Sequence, residues 1–299
     1  MRAGARVALL SPAGPLRGRE ELERARETCT SLGWRPIVHE NAMASAGYFA
    51  GDDTSRAADL QHAIDDPEVD AIWCLRGGYG SARLLEHIRW TALRDRPRPL
   101  IGFSDITALH LAVARECDVI SYHGPTARSR LSAFSRDSLL RALGGADPCG
   151  DAPSARVLRP GNARGRLAGG NLAVLASLVG TKWAPRFDGA IAVLEDVNEA
   201  TYRVDRMLLQ LRLAGAFDGC VAIAFGHCTS CDEEADGGGR RSLDEVLTET
   251  ADRLGVPCVA RIPVGHIDDQ WTLPLGADAD LSADDGRVRL SVPSATPSV

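Results

Sequence analysis

The chain has 299 residues, a formal charge of −6, and 44% hydrophobic and 25% charged residues, a balance that fits a globular protein of about two domains. Acidic residues outnumber basic ones by 40 to 34, which argues against the basic footprint of a duplex nucleic-acid binder, and no apolar run approaches the ~18 residues of a membrane span. Of the 34 basic residues, Lys182 is the one lysine and the rest are arginine; it lies in Gly180-Thr181-Lys182-Trp183, which excludes a Walker A loop and leaves one side chain for Schiff-base chemistry.

The positive start, Met1-Arg2-Ala3-Gly4-Ala5-Arg6, is followed by an apolar run too short for a signal-peptide core of about 7–15 residues, so a cytoplasmic protein is expected. That run, 7–10, reads as a buried strand. A helix over 19–32 is stopped by Gly33, and 34–39 is a second strand. A helix over 54–64 breaks at Asp65-Asp66-Pro67. A strand over 71–75 runs into Arg76-Gly77-Gly78-Tyr79-Gly80, with a helix predicted through Leu84 and Leu85. A strand over 100–103 leads to a helix over 105–114. Strands alternating with helices predict an α/β fold with a mostly parallel sheet covered on both faces.

Residues 144–165 are rich in turn formers and predict a crossing between domains. The expected division is an N-terminal domain over 1–145, a linker over 146–165 and a C-terminal domain over 166–299. Beyond the linker, a helix over 172–179, a strand over 191–194, a helix over 203–213, a strand over 221–225 and a helix over 243–254 follow. The segments 272–275 and 287–292 read as β-structure.

Eight cysteines in a chain without a secretory signal are expected to be reduced. Cys228-Thr229-Ser230-Cys231 has redox or metal spacing, but no second pair follows it, and a structural zinc site wants four ligands. No metal site is predicted.

The functional candidates gather at the carboxyl ends of predicted strands, where open α/β sheets bind ligands. Gly77-Gly78-Tyr79-Gly80 departs from the dinucleotide fingerprint, because Arg83 stands where a small residue belongs. Its glycines leave amides bare to meet an oxyanion. Ser104, in Gly102-Phe103-Ser104-Asp105-Ile106, occupies a nucleophile-elbow position, although Ile106 replaces the second glycine of the usual pattern. A helix-capping role is the other reading. His266 follows Gly265 in a loop and is the preferred base, with His123 second. Glu195, at the end of an apolar strand, is the carboxylate that burial would force to find a partner.

Five blocks, taken together, closely resemble the LD-carboxypeptidase family, serine peptidase family S66. They are Arg76-Gly77-Gly78-Tyr79-Gly80-Ser81, Gly102-Phe103-Ser104-Asp105-Ile106-Thr107, Gly169-Gly170-Asn171-Leu172, Leu194-Glu195-Asp196-Val197-Asn198-Glu199 with Tyr202-Arg203, and Gly265-His266 with Leu273-Pro274-Leu275-Gly276. The resemblance covers nearly the whole chain. It implies a flavodoxin- or amidotransferase-like N-terminal layer and a smaller, swivelling, β-rich α/β C-terminal domain, with the active site between them. It also implies a Ser104–His266–Glu195 triad, with an oxyanion hole from the Asp105 amide and that of Gly78 or Gly77. The implied activity is hydrolysis of the L-D peptide bond that releases C-terminal D-alanine from murein tetrapeptides in cell-wall recycling. No metal or cofactor and a homodimer go with it. Arg76 and Arg203 are candidates to grip the substrate carboxylate. The alternatives are a microcin-type aminoacyl-nucleotide conjugate hydrolase of the same family, and a non-catalytic α/β ligand-binding module.

Overall fold

The computed structural model describes residues 1–231 and 241–294. In β1 (Arg6–Leu10) the side chains of Val7, Ala8, Leu9 and Leu10 are all fully buried, the mark of a strand covered on both faces. After it come α1 (Arg19–Ser31), β2 (Arg35–Val38), α2 (Asp53–Asp65) and β3 (Ala71–Cys74). They are followed by α3 (Thr91–Asp95), β4 (Leu100–Gly102), α4 (Thr107–Glu116), β5 (Ser121–His123) and α5 (Ala133–Leu143). The β1 strand pairs in parallel with β2 and β3, β3 with β4, and β4 with β5. Apolar residues of α2, α3 and α4 pack on one face and those of α1 and α5 on the other.

The helix expected after Gly80 is only a 3-10 turn, Ser81–Leu84, and a second short turn, Ser104–Ile106, precedes α4. The segment expected as a linker is itself folded. It contains β6 (Gly150–Asp151), β7 (Arg156–Arg159) and the start of β8 (Gly161–Asn171). Its glycines and prolines mark short edge strands and bends, which share the composition of loops.

The second sheet continues with α6 (Leu172–Ser177), β9 (Ala190–Val197), α7 (Thr201–Leu213), β10 (Ala222–Thr229), α8 (Leu243–Leu254) and β11 (Cys258–Ala260). Next come β12 (Leu273–Leu275), β13 (Asp278–Asp284) and β14 (Arg287–Ser291). Its strand order is β6-β14-β13-β8-β9-β10-β11-β7, with β8 to β11 parallel and the outer pairs antiparallel. The β12 strand leaves this sheet and pairs antiparallel with β5, so the C-terminal half contributes an edge strand to the first sheet.

Other contacts join the two layers. The Asn171 N–H donates to Thr107 Oγ1 at 2.9 Å, and Trp183 joins the first core and donates to Glu116 at 3.1 Å. The lone lysine, Lys182, pairs with the same Glu116 at 3.2 Å. Among the described residues no helix is long and apolar enough to cross a membrane. All eight cysteines are free thiols, and burial pushes Cys29 up to about 12 and Cys117 up to about 11.

Gly170 has φ +138, and a Cβ there would lie 2.4 Å from Thr107 Oγ1. Gly170→Ala is therefore expected to cost more than about 2 kcal/mol, measured by denaturant unfolding.

Two buried histidines predict an acid-sensitive fold. His110 bonds to Ser121 Oγ and to the Gly102 carbonyl, each at 2.9 Å, and burial holds it down to about 4. His123 has no hydrogen-bond partner at either ring nitrogen among the described residues. Burial first, then the neighbouring His110 and His266, hold it down to about 3. Below about pH 6.5 the unfolded chain takes protons that these folded histidines refuse. Their stabilisation is thus full above pH 6.5 and is lost as pH falls towards 4, at up to about 1.4 kcal/mol per histidine per pH unit. Denaturant midpoints at pH 7 and pH 5 should show the loss, and His123→Leu should flatten it; parallel pH slopes would contradict this account.

Candidate active site

Ser104 sits where β4 ends, with φ +65. A non-glycine residue in that region costs roughly 1–2 kcal/mol, and the sharp turn presents the hydroxyl at the carboxyl end of the sheet. The position two before it must be small for this turn. A Cβ on Gly102 would lie 3.0 Å from both Ile106 Cγ1 and Cγ2, so Ile106 fills the space that Gly102 leaves.

Glu195 comes from β9 of the other sheet and is fully buried. His266 lies between β11 and β12 and is partly buried. Its Nδ1 is 2.8 Å from Glu195 Oε2 and its Nε2 is 3.1 Å from Ser104 Oγ. An ionised carboxylate only accepts, so this geometry assigns the proton to Nδ1 and leaves the Nε2 lone pair facing the serine hydroxyl. The Phe103 ring packs on the imidazole with centroids 4.8 Å apart. The arrangement can draw a proton from Ser104 and hold the resulting imidazolium beside a carboxylate.

The glycine turn meets the serine directly. A Cβ on Gly77 would lie 3.0 Å from Ser104 Cβ and 3.3 Å from its Oγ. The Gly14 N–H donates to the Gly77 carbonyl at 2.9 Å. Two side chains that the sequence reading passed over brace this turn. Asp105, considered only for its amide, accepts the Ser81 N–H at 2.8 Å, and its own carbonyl accepts the Ser81 hydroxyl at 2.5 Å. Burial pushes the Asp105 carboxyl above the usual range, against the hydrogen bonds from Ser81 and Gly80 that lower it. Arg56 is buried and donates to the carbonyls of Pro12 at 2.5 Å and Gly80 at 3.0 Å. The sequence does carry a signal for Arg56: it falls on the buried stripe of α2 with Leu60, Ala63 and Ile64.

His123 is buried behind Phe103 and does not bond to Ser104. Arg203 is on the outer face of α7, 3.5 Å from Glu199. Asp196, beside Glu195, accepts from Asn171 Nδ2 at 3.1 Å and from the Ala173 N–H at 2.9 Å. Burial raises Asp196 to about 6, with Glu195 adding to the effect. Cys228 lies near the end of β10, and its hydrogen bond with Cys231, then burial, push its thiol up. No metal-binding group of His, Cys, Asp or Glu is found among the described residues; the acidic and glycine-rich run 232–240 lies outside them. A cavity of about 600 Å³, lined by Arg115, Arg164, Arg166 and Arg186, opens between the sheets, and none of Ser104, His266 and Glu195 lines it.

Gly77→Ala tests the close approach. The added methyl would press on Ser104 Cβ at 3.0 Å and on the Phe103 carbonyl at 3.2 Å, so the turn that carries the hydroxyl must shift. Acylation of Ser104 by a serine-directed reagent should fall about tenfold, since reactivity depends steeply on the placement of the attacking hydroxyl.

Residues 7–124 match the family model of the LD-carboxypeptidase N-terminal domain, and residues 164–281 that of the C-terminal domain. The murein tetrapeptide carboxypeptidase of Pseudomonas aeruginosa is 36% identical over 293 residues, covering 92% of this chain and 92% of that one. The structure of muramoyltetrapeptide carboxypeptidase from Oxalobacter formigenes matches with a TM-score of 0.87 at 29% identity, over 98% of this chain and 100% of the other. An MccF-like protein from Bacillus anthracis shares the fold, with a TM-score of 0.88 at 22% identity over 98% of each chain. With both domain models matched in order along one chain, the protein belongs to the LD-carboxypeptidase family of serine peptidases.

Proposed function

We propose that this chain removes the C-terminal D-alanine from murein tetrapeptides in cell-wall recycling. The observation that carries the reading is the line from Ser104 through His266 to Glu195, at 3.1 and 2.8 Å. The murein peptide is taken from the relatives of that name.

In this reading Ser104 Oγ attacks the carbonyl carbon of the L-configured residue, and its proton passes to His266 Nε2. The amides of Asp105 and Gly78 receive the oxyanion. The Gly77 carbonyl points at Gly14, and a trans peptide sets its N–H opposite its carbonyl. The Gly78 N–H therefore faces away from Gly14, which favours Gly78 over Gly77 as the second donor. Such a donor contributes about 2.7–4 kcal/mol to the transition state. When the C–N bond breaks, His266 returns the proton to the departing amine and D-alanine leaves. Water then attacks the acyl-serine ester, giving its proton to His266, and the acid product leaves as Ser104 is restored. Glu195 holds the imidazole tautomer throughout and balances its charge. The expected setting is a cytoplasmic homodimer; light scattering on the purified chain tests the assembly.

The test uses pure protein, a murein tetrapeptide and a microcin-type aminoacyl-nucleotide conjugate, with products followed by mass spectrometry. D-alanine release is expected, falling by at least about 10⁴-fold in Ser104→Ala. Release that survives the substitution overturns the serine mechanism. Aminoacyl release without D-alanine release assigns the chain to the conjugate hydrolases. Release from neither substrate leaves a binding module.

A further inference from the structure

The loops that leave β1, β3 and β5 gather positive charge at the carboxyl end of the first sheet, the end at which Ser104 also lies. Arg76 leads into Gly77, the glycine packed against Ser104; its half-buried guanidinium donates to the Pro15 carbonyl. The Ala127 N–H donates to the Cys74 carbonyl at 3.0 Å, so the segment leaving β5 runs along the end of β3 and brings Arg128 towards Arg76. Arg128 Nη1 meets Glu21 Oε1 at 2.9 Å, while its Nε is buried with no hydrogen-bond partner among the described residues. Glu21 is buried in the first turn of α1, and its other oxygen accepts the Arg17 N–H at 2.9 Å.

The charges in this cluster do not balance. Burial, then the fields of Arg128 and Arg17, lower the Arg76 guanidinium from its ordinary range, and Glu21 opposes them. Glu21, the carboxylate that opposes these charges, already has both oxygens engaged, one by Arg128 Nη1 and the other by the Arg17 N–H. Like charges held in partly desolvated space repel, and a bound anion relieves that repulsion. A buried Nε also calls for an acceptor. Planar guanidinium groups match a carboxylate in shape and charge, with two parallel hydrogen bonds available.

We infer that Arg76 and Arg128 form the subsite for the free C-terminal carboxylate of the substrate, an inference that rests on the carboxypeptidase reading above. Occupied in this way, the subsite restricts cleavage to the last residue, because an amidated or extended peptide brings no anion to the two guanidinium groups.

The experiment compares the tetrapeptide with the same peptide ending in D-alaninamide, on the full chain, and reads the acid-to-amide ratio of kcat/KM. A ratio of roughly 100 is expected, since a charge-assisted pair contributes 10- to 100-fold or more. It should collapse towards 1 in Arg128→Leu and in Arg76→Gln, chiefly through KM for the acid. Removing Arg128 strips Glu21 of a partner, so affinity is also measured in the Ser104→Ala background. There Arg76→Gln should weaken the tetrapeptide about 10-fold or more and leave the amide's affinity within about twofold. A ratio unchanged in both variants, or equal losses on acid and amide, overturns the subsite while D-alanine release by the parent chain still upholds the function. Release from neither peptide by the parent chain overturns that function and the subsite with it.

Discussion

A carboxylate with no exposed surface is the constraint around which the site is arranged. Glu195 is fully buried, and an ionised group in that position is costly unless it is paired. Its Oε2 meets His266 Nδ1 at 2.8 Å. The surroundings leave little freedom for another arrangement. A Cβ on Gly265 would lie 3.0 Å from Glu195 Oε2, and one on Gly226 would lie 3.2 Å from Glu195 Cβ. The chain is narrowed to glycine on both sides of the acid so that the imidazole-bearing loop can reach it.

That loop is also where the two sheets are brought into register. Ser104 belongs to the first sheet and Glu195 to the second, while His266 lies on the segment that leaves β11 in the second and enters β12 in the first. Both ends are tied. The His227 N–H donates to the Val264 carbonyl at 2.8 Å on the β10 side. On the α5 side, the Ser135 hydroxyl donates to the Asp268 carbonyl at 2.8 Å and the Thr272 N–H donates to Ser138 Oγ at 2.8 Å. Any shift of one sheet against the other therefore moves the imidazole relative to the serine or the acid. The contacts at Gly170, Thr107 and Trp183 resist such a shift from the far side of the Ser104 turn.

The Ser104 turn shows how local strain is held. Ser104 adopts a backbone conformation that L residues avoid, and such strain persists only where its surroundings over-determine it. Here Asp105 clasps Ser81, Arg56 clasps Pro12 and Gly80, and Gly14 holds the Gly77 carbonyl. The strained residue is thus held among the loops that leave β1 and β3 at the carboxyl end of one sheet, with Arg56 reaching in from α2. The charge of Arg76 and Arg128 gathers at that end as well.

In the first sheet, β1, β3 and β4 were legible as short apolar runs, whereas β5, Ser121-Tyr122-His123, carries no such run and neither it nor α5 was expected. The second sheet was harder. Glycine-rich β8 and the short strands before it share their composition with loops, and pairing to β9 and β13 is what makes β8 a strand. The short 3-10 turn after Gly80 was also overestimated, because Leu84 and Leu85 suit a helix but have too few residues around them to continue it. Ser104, Glu195 and His266 could be named from their positions after apolar strands and a glycine, together with the family blocks. The braces could not. Arg56, the Asp105 carboxyl and Arg128 work through partners from 24 to 107 residues away. By itself, then, the sequence determined the alternation of strands and helices at the start of the chain, the family and the chemical types at the site, since these are written in local periodicity and short motifs. Only the tertiary structure decided which strand crosses to the other sheet and which carboxylate and carbonyls Arg56 and Arg128 meet, because those depend on contacts between segments far apart in the chain.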